Sequence, residues 1–525
     1  MSESEKLRGR RAFLRAGLFG GAAVAVACGS EEGPAPTPEP TPTPAPTPTA
    51  ADAGLPDGLD PRDFVVHGLD PLTLETRRDR FGTSAITPAS LFFVRNNLPL
   101  PPLSIVDRPD DWEVAIAGVA EPRSVTVREL KQWGVETLAT VVQCSGNGRK
   151  FFEHETSGSQ WGVGAAACAV WSGVPLKLVV ERLGGPLEGM RFLTSTGGEE
   201  LPEGVDRDSV VVERSIPLDK ALDDCLLAWE MNGAPIPITH GGPLRLIVPG
   251  FYGCNQIKYV KRVAFTEVET RANIMRSGYR FRPIGEPGAP DQPSMWSMSI
   301  KSWINGPSGM HPVAKGPLQV HGVAFSGGQG VSGVEVSTDG QQWQAAELIG
   351  PDLGPYAWRQ FRLSMELDLG EHQLFCRATD GEGNLQPERR TENHRGYGHN
   401  GWRDMAVAFE VVEGPVILEE ESADGALVAS GPEPGSLELS TEEEAGRALF
   451  TADAAPSCGT CHTLSEAGTA GTVGPNLNAL APSEAQIAQA VTNGVGAMPA
   501  YGEQLSDAQV RQIAAYVRKV VTAGE

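Results

Sequence analysis

The chain has 525 residues, enough for about three or four domains of ordinary size. Its 66 aspartates and glutamates outnumber its 43 lysines and arginines, and the formal net charge of −23 argues against the basic surface that nucleic-acid binding requires. Eight cysteines in a chain of this length exclude a dense disulfide framework.

Residues 1–28 predict an export signal. Arg10 and Arg11 open a twin-arginine motif, and the apolar stretch 16–27 is too short to span a bilayer as a helix. The run 25–28 resembles a lipobox, so we expect Cys28 to carry a lipid; the alternative is simple cleavage near Ala27, which leaves a free protein. We therefore expect export by the twin-arginine route to the periplasm or the outer face of the cytoplasmic membrane.

The composition then divides the chain into linkers and folded regions. Residues 29–59 are rich in proline and threonine and predict an extended linker. Residues 60–285, the first domain, mix strand, helix and turn patterns and predict an α+β fold. Residues 286–412, the β-domain, carry evenly spaced β-type runs with an Asp339-Gly340 hairpin signal, which predict an immunoglobulin-like antiparallel β-sandwich. A second linker follows at 413–439, and a capping box of Ser440 or Thr441 with Glu444 opens an all-α C-terminal domain at 440–525.

The C-terminal domain carries the motif Cys458-Gly-Thr-Cys461-His462. A C-x-x-C-H run supplies two thiols for covalent haem attachment and one axial iron ligand. Met498 lies downstream, and a methionine thioether is a common sixth ligand of electron-transfer haem. The alternative is a redox pair or half a zinc site, but no second Cys/His pair follows. The motif predicts a class I c-type cytochrome with Cys458 and Cys461 bonded to haem c, and His462 and Met498 as iron ligands.

The first domain places Cys144 in a glycine-bearing turn that follows a β-branched run and ends at Arg149. Glycines permit close approach of the backbone to a bulky ligand, and Arg149 would help to hold the sulfur as thiolate, the form that binds metal. An isolated cysteine is more often a buried thiol. The residue types alone therefore indicate only a candidate metal or nucleophile site.

The segment around Cys144 resembles the molybdenum-binding loop of the sulfite oxidase family of molybdopterin enzymes, and the resemblance runs over most of residues 60–412. The most recognisable stretches are residues 227–233 and 240–250. The resemblance implies that Cys144 binds molybdenum. It also implies a set of molybdopterin-binding residues: Phe93, Val94, Arg95, Asn96, Asn97, His240, Arg245 and Lys258. Its remaining motifs imply a catalytic pocket around Cys144 formed by Arg95, Arg149, Trp161, Tyr279 and Arg395.

Two positions depart from the pattern of the family. Asn97 stands where many members have histidine, and Gly148 stands where some have an arginine before Arg149. Both changes remove positive charge that would face the substrate. They bear on the substrate contacts and the pH dependence more than on the cofactor.

The resemblance implies a sulfite dehydrogenase that oxidises sulfite to sulfate at molybdenum and passes the electrons singly to the fused haem. We expect an external cytochrome c or copper protein as acceptor and a homodimer formed through the β-domain. Two alternatives remain: a molybdenum oxidoreductase acting on another sulfur compound, a sulfoxide or nitrate, and an electron-transfer cytochrome whose first domain is not catalytic. Four further cysteines are expected to be plain buried thiols: Cys168, Cys225, Cys254 and Cys376.

Overall fold

The computed structural model describes residues 55–154, 156–414, 416, 432–471, 474, 476–480, 482–494 and 498–523. The predicted export signal and lipobox lie outside these ranges, as do most residues of the two predicted linkers. No helix within the described ranges is long and apolar enough to cross a membrane.

The first domain begins with a small antiparallel sheet. Its strands are β1 (Phe64–Leu69), β2 (Leu72–Thr76) and β3 (Val94–Arg95). Leu55 and Leu59 are buried against this sheet, so packing begins ahead of the predicted boundary at residue 60.

Two larger sheets follow within the described residues of the first domain. One has the order β11-β10-β7-β6, with β12 also paired to β10, and the other has the order β5-β4-β13-β8-β9. Their strands and the intervening helices are β4 (Glu113–Ala117), β5 (Arg123–Thr126), α1 (Val127–Trp133), β6 (Glu136–Gln143), β7 (Ala166–Pro175), α2 (Leu176–Arg182), β8 (Phe192–Thr196), α3 (Arg207–Val210), β9 (Glu213–Pro217), α4 (Leu218–Asp223), β10 (Leu226–Met231), β11 (Ala234–Pro235), β12 (Arg245–Ile247) and β13 (Arg262–Thr266).

Strand β6 positions the predicted metal ligand. Its last residues are buried, and it pairs antiparallel with β7 along its whole length, ending with Gln143 opposite Ala166. Cys144 is the next residue, and its N–H donates to the carbonyl of Ala165 at 2.9 Å. The chain therefore leaves the sheet at Cys144 while its backbone is still fixed by the neighbouring strand.

The β-domain is formed by residues 301–412, all of which are described. Its strands follow one path in the order β14-β16-β19-β18-β17-β20-β21-β15 and pack over a single apolar core, antiparallel except for the pair β15 and β21. The strands are β14 (Lys301–Gly306), β15 (Val313–Ala314), β16 (Pro317–Phe325), β17 (Val331–Ser337), β18 (Gln344–Ile349), β19 (Arg359–Glu366), β20 (Gly370–Asp380) and β21 (Val407–Val412). The predicted turn lies between β17 and β18, where Gly340 has φ +72°.

The C-terminal domain packs helices around an apolar core. Its elements are α5 (Thr441–Ala448), α6 (Cys458–Cys461), β22 (Thr463–Leu464), β23 (Thr469–Ala470), α7 (Leu477–Leu480), α8 (Glu484–Asn493) and α9 (Asp507–Ala523). Helix α5 is capped by Ser440 with Glu443, not the predicted Glu444, because the capping box joins the N-cap residue to the third helical residue. Leu437 and Leu439 also pack on this core, so the packed region begins before residue 440.

The three domains agree with the predicted fold class, which is confirmed. The C-terminal domain packs against the first domain, where α7 contacts β1. It also meets the segment before β21, because Arg395 Nη1 donates to the carbonyl of Gly494 at 2.6 Å. These contacts bring the cysteine motif of one domain close to the Cys144 loop of the other.

Candidate active site

The Cys144 loop is fixed from several sides. The carbonyl of Cys144 accepts a hydrogen bond from the N–H of Asn147 at 3.0 Å. The carbonyl of Asn147 in turn accepts from Nζ of Lys301, the first residue of β14, at 3.0 Å. Burial lowers the pKa of Lys301 to about 7, and the nearby Cys144 opposes this shift. Lys301 thus connects the β-domain to the backbone of the loop, and the Cys144 thiol faces a cavity.

This small cavity, which we call the substrate cavity, brings together all the predicted catalytic residues. Its lining consists of Cys144, Arg95, Arg149, Trp161, Tyr279 and Arg395, with Gly158, Ser159 and Tyr397. They come from β3, from the loop after β6, from the segment before β14 and from the segment before β21. Only the folded chain makes neighbours of residues so far apart in sequence.

Among the described residues, the arginines of the substrate cavity have no carboxylate partner. Arg149 donates from Nε to the carbonyl of Arg395 at 3.0 Å and from Nη1 to the carbonyl of Ser159 at 2.8 Å. Arg395 Nε is buried and has no hydrogen-bond partner among the described residues. No aspartate or glutamate among the described residues pairs with Arg95, Arg149 or Arg395. A buried guanidinium without an anion is costly, so the cavity favours an anionic ligand.

Tyr279 and Tyr397 form an aromatic wall beside these cations. Their rings stack with centroids 5.3 Å apart, and the guanidinium carbons of Arg149 and Arg395 lie 5.4 and 5.7 Å from the centre of the Tyr397 ring. Burial raises the pKa of Tyr279, although Arg95 opposes this, so its hydroxyl stays protonated at neutral pH and serves as a donor. A π-helix, Ile274–Gly278, ends directly before Tyr279 and fixes its direction.

The two departures from the family pattern have local explanations. Asn97 Oδ1 accepts a hydrogen bond from Arg95 Nη2 at 3.0 Å, so Asn97 orients the arginine. Gly148 has φ +97°, and a Cβ atom there would lie 2.5 Å from Cγ of His399. His399 therefore fills the space that a side chain at position 148 would need. Burial lowers the pKa of His399 to about 4 despite its contact with Asp404, so this ring does not replace the missing charge at neutral pH.

A larger cavity, which we call the cofactor cavity, is also lined by Cys144. Nearly all of the predicted molybdopterin-binding residues line it: Phe93, Arg95, Asn96, Asn97, His240, Arg245 and Lys258. The side chain of Val94 does not, because it alternates with Phe93 and Arg95 along β3 and packs in the core of the first sheet.

The chemistry of the cofactor cavity suits an anionic group. Lys258 Nζ donates to Asn96 Oδ1 at 2.8 Å, and burial lowers the pKa of Lys258 well below its usual value. Arg245 is buried, and its Nε has no partner among the described residues. His240 Nε2 lies 2.9 Å from the carbonyl of Ala89, and burial lowers its pKa to about 3, so the ring is neutral and Nε2 is the donor. The two buried cations fit the phosphate of a molybdopterin, with Cys144 placed to hold the metal.

Among the cavity residues that were not predicted as site residues, three carry titratable side chains: Glu199, Cys254 and Tyr397. Burial raises the pKa of Glu199, which lines the cofactor cavity, to about 7, so this carboxyl group titrates near neutral pH. Cys254 lines the same cavity, with Ser145 Oγ 3.3 Å from its sulfur, and is not the plain buried thiol expected. Tyr397 was missed as well. The sequence marks Glu199 only by the two glycines that precede it at the end of a strand. Nothing in the sequence marks Cys254 or Tyr397.

A third cavity, the haem cavity, surrounds the cysteine motif. Cys458, Cys461, His462 and Met498 all line it, among apolar side chains of the C-terminal domain. A Cβ atom at Gly474 would lie 2.4 Å from the His462 ring, so the glycine leaves room for the histidine. Paired thiols, a histidine and a thioether around an apolar space are the groups that hold haem c. The opposite wall belongs to the first domain and includes His67, Arg95 and Ser159.

Comparison with known protein families agrees with this arrangement. Residues 99–274 match the oxidoreductase molybdopterin binding domain, and residues 292–410 match the Mo-co oxidoreductase dimerisation domain. Residues 441–517 match the family of cytochrome C oxidase, cbb3-type, subunit III. The three matches follow the three folded domains in order.

Individual relatives point the same way. The chain is 32% identical to mitochondrial sulfite oxidase of Rattus norvegicus over 359 residues, which is 64% of each chain and therefore just under two thirds of the rat protein. It is 31% identical to sulfite oxidase of Gallus gallus over 343 residues, 62% of this chain and 72% of the other. The crystal structure of the sulfane dehydrogenase SoxCD from Paracoccus pantotrophus superposes with a TM-score of 0.55 and 27% identity, covering 66% of this chain and 87% of that one. The chain belongs to the sulfite oxidase family of molybdopterin oxidoreductases, with Mo-molybdopterin and haem c as its cofactors.

Proposed function

We propose that the protein is a sulfite dehydrogenase, a sulfite:cytochrome c oxidoreductase. It oxidises sulfite to sulfate at the molybdenum centre and passes the electrons singly to the fused haem c. One observation carries the proposal: Arg95, Arg149 and Arg395 converge beside Cys144 without a carboxylate partner among the described residues. The kinship with sulfite oxidases supports the same substrate.

The side chains of the substrate cavity account for the binding of a small oxyanion. Guanidinium N–H groups form paired, charge-assisted hydrogen bonds to oxyanions. The net charge of −23 does not prevent binding, because charges are screened beyond roughly 8 Å at physiological salt. An arginine about 4 Å away contributes roughly 4 kcal/mol of attraction at an effective dielectric constant of 20. The nearby arginines therefore outweigh the distant acidic surface.

Other residues orient the anion and limit its size. Tyr279 holds a donor hydroxyl beside Arg95, and Trp161, fully buried, closes the cavity with an apolar face. When bound, the molybdenum cofactor supplies oxygen transfer to sulfur and acceptance of two electrons, and the haem supplies one-electron transfer. Arg95 and Ser159 line both the substrate cavity and the haem cavity, so the two sites share a wall.

A second candidate substrate is a sulfane sulfur. The similarity to the sulfane dehydrogenase SoxCD covers 66% of this chain and favours it. Comparing turnover on sulfite, thiosulfate, methionine sulfoxide and nitrate separates the candidates. Sulfite should give the highest kcat/KM; a preference for thiosulfate would replace sulfite by sulfane sulfur as the substrate.

We also propose an exported homodimer that delivers electrons to an external cytochrome c or copper protein. The twin-arginine motif and the lipobox at Cys28 support export and a lipid anchor on the outer face of the cytoplasmic membrane. The match of residues 292–410 to a dimerisation domain supports the dimer. The acidic surface favours a basic acceptor. Light scattering of the purified protein measures the dimer, and mass spectrometry of the mature N-terminus identifies the lipid.

Cys144→Ser tests the proposed function. Adding sulfite to the anaerobic wild-type protein should produce the reduced haem spectrum, whereas the variant should stay oxidised with unchanged haem content. Cys376→Ser is the matched control, because Cys376 is a buried thiol of the β-domain, 3.4 Å from Ser302 Oγ and away from all three cavities. It should behave like wild type.

Two outcomes contradict the proposal. Retained haem reduction in Cys144→Ser refutes the route through molybdenum. A wild-type protein that contains molybdenum by metal analysis yet shows no haem reduction with sulfite refutes the substrate. Purified protein without molybdenum after normal export would favour the non-catalytic alternative.

A further inference from the structure

A single layer of side chains separates the substrate cavity from the haem cavity. Arg95 and Ser159 border both spaces. Two aromatic residues face each other through the same wall: Trp161 lines the substrate cavity, and His67 of β1 lines the haem cavity. Electron tunnelling weakens steeply with distance and with gaps in packing. A direct ring contact across the wall therefore favours electron tunnelling.

The rings of His67 and Trp161 are in contact. Their centroids lie 4.6 Å apart with the planes at 61°, an edge-to-face arrangement. Trp161 is fully buried, and the His67 side chain is only 11% exposed. Phe93, which lines the cofactor cavity, also packs edge-to-face on Trp161, with its ring centroid 6.5 Å away. Aromatic rings thus run from the cofactor cavity to the haem cavity.

Glu75 of β2 fixes this contact. Its Oε2 lies 2.9 Å from His67 Nε2, and its two oxygens accept from the N–H groups of Gly162 and Gly164, both at 3.0 Å. Since Gly162 directly follows Trp161, one carboxylate holds the histidine ring and the backbone that carries the tryptophan. Burial would raise the pKa of Glu75, but the hydrogen bond from His67 and those from the two glycines hold it below its usual value.

The fit of this carboxylate requires glycine in the loop. A Cβ atom at Gly164 would lie 1.8 Å from the carbonyl oxygen of Thr76 and 2.8 Å from Cγ of Glu75. At Gly162, it would lie 2.8 Å from Oε1 of Glu75. The loop therefore packs against β2 with no room for another side chain, and Glu75 reaches both amides.

We propose that His67 and Trp161 form the contact through which electrons pass from the molybdenum centre to the haem, and that Glu75 is the positioning residue of this relay. This inference rests on the proposed function. Sulfite and water give sulfate, two protons and two electrons. The protons pass to water, and each electron reduces ferric haem to ferrous haem; the external one-electron acceptor reoxidises the haem between the two transfers.

His67→Gln tests the relay. Glutamine keeps a donor for Glu75 but has no ring, so the fold and the loop at Trp161 should be retained. Two rates are measured in anaerobic single turnovers: sulfate formation by chemical quench and haem reduction by absorbance. We expect unchanged sulfate formation and slower haem reduction. The haem midpoint potential should not change, which excludes a loss of driving force.

Two further variants separate the relay from a purely structural role. His67→Phe restores a ring without the bond to Glu75 and should recover part of the lost rate. His372→Gln, at a half-buried position near the start of β20 and outside the lining of all three cavities, is the matched control and should change neither rate.

The possible results are distinct. Unchanged haem reduction in His67→Gln, with normal sulfate formation, overturns the relay. Equal slowing of both rates also overturns it, because the histidine then acts only on the fold. If the wild-type protein forms no sulfate, the proposed function is wrong. This result differs from the two that overturn the relay, because in those the wild-type protein still forms sulfate.

Discussion

Asn97 shows how one uncharged side chain organises the substrate cavity. Its Oδ1 accepts from Nη2 of Arg95, an arginine that lines the substrate, cofactor and haem cavities alike. The sequence marks Asn97 as a departure from a histidine. The structure shows that the residue still supplies an acceptor, so the departure preserves the orientation of Arg95.

Replacing Asn97 by leucine should weaken sulfite binding. The variant removes a hydrogen bond to a charged group, which contributes about 1.5–3 kcal/mol, and about 1.4 kcal/mol corresponds to a tenfold change. We expect KM for sulfite to rise roughly tenfold with little change in kcat. Asn97→His restores an acceptor and is the control. Steady-state kinetics measures both, and an unchanged KM in Asn97→Leu would show that Arg95 does not depend on this contact.

Gly148 is the second residue whose identity the structure explains. The left-handed backbone costs any other residue about 1–3 kcal/mol, and the His399 ring adds a steric clash. Gly148→Ala should therefore lower the Tm of the first domain and reduce its molybdenum content. Gly233→Ala is the matched control, since Gly233 has φ +79° but no atom within 4 Å of the new Cβ. Equal Tm losses in the two variants would mean that the clash with His399 contributes nothing.

At the scale of elements, the ends of strands and short helices position the functional side chains. Strand β6 ends directly before Cys144, the π-helix Ile274–Gly278 ends directly before Tyr279, and a 3-10 helix, Ile238–His240, presents His240. Each of these side chains stands at the end of an element, or directly after it, where the backbone of that element is hydrogen-bonded. The rigid scaffold thus sets the direction of side chains that lie in loops.

The crossing of α5 and α9 depends on Gly446. A Cβ atom there would lie 2.0 Å from the carbonyl oxygen of Gln512 and 2.8 Å from Cβ of Tyr516. Alanine normally stabilises a helix relative to glycine by about 1 kcal/mol, but overpacking costs about 1–3 kcal/mol and should exceed that gain here. Gly446→Ala should lower the Tm of the C-terminal domain, followed by haem absorbance. Glu444→Ala, exposed on the same helix, should not; a rise in Tm for Gly446→Ala would disprove the close crossing.

At the scale of the whole molecule, the site is assembled from all three domains. The β-domain supplies Lys301 beneath the Cys144 loop, and the C-terminal domain contacts Arg395 through the carbonyl of Gly494. A residue of the substrate cavity therefore touches the domain that carries the haem motif. Substrate binding and domain packing share this arginine.

Buried neutral histidines should make the folded chain sensitive to acid. His399 has a folded-state pKa of about 4, below its unfolded value near 6.5, so between these limits the unfolded chain binds more protons. Stability is complete above about pH 6.5 and falls toward pH 4, by at most about 1.4 kcal/mol per pH unit for one histidine.

The His399→Gln variant isolates this contribution. Its Tm should fall less steeply than that of wild type between pH 6.5 and 4.5, because glutamine takes up no proton and can still bond to Asp404. The half-buried His372→Gln, in the β-domain, should follow the wild-type curve. Parallel curves for wild type and His399→Gln would show that the ring does not titrate on unfolding.

The haem motif, the Cys144 loop and the order of domains could be predicted from the sequence because they are local or because motifs identify them. Cys458, Cys461 and His462 lie within five residues, and their chemistry follows from their spacing alone. Likewise, the evenly spaced β-type runs of the β-domain and the Ser440 cap of α5 are short-range patterns, although the partner of Ser440 is Glu443 and not the predicted Glu444. The arginines of the site were predicted from the resemblance to a family, because no local pattern distinguishes Arg395 from an arginine in a surface ion pair.

Tertiary structure decided which side chains meet. Glu199, Cys254 and Tyr397 joined the cavities only through folding, and Val94 was turned away from the cofactor cavity by the alternation of β3. The contact between His67 and Trp161 is likewise invisible in the sequence, because 94 positions separate them and a buried carboxylate on a third segment holds them together. Local sequence determines which chemical groups the chain carries, whereas long-range packing determines the distances between them, and electron transfer and anion binding depend on those distances.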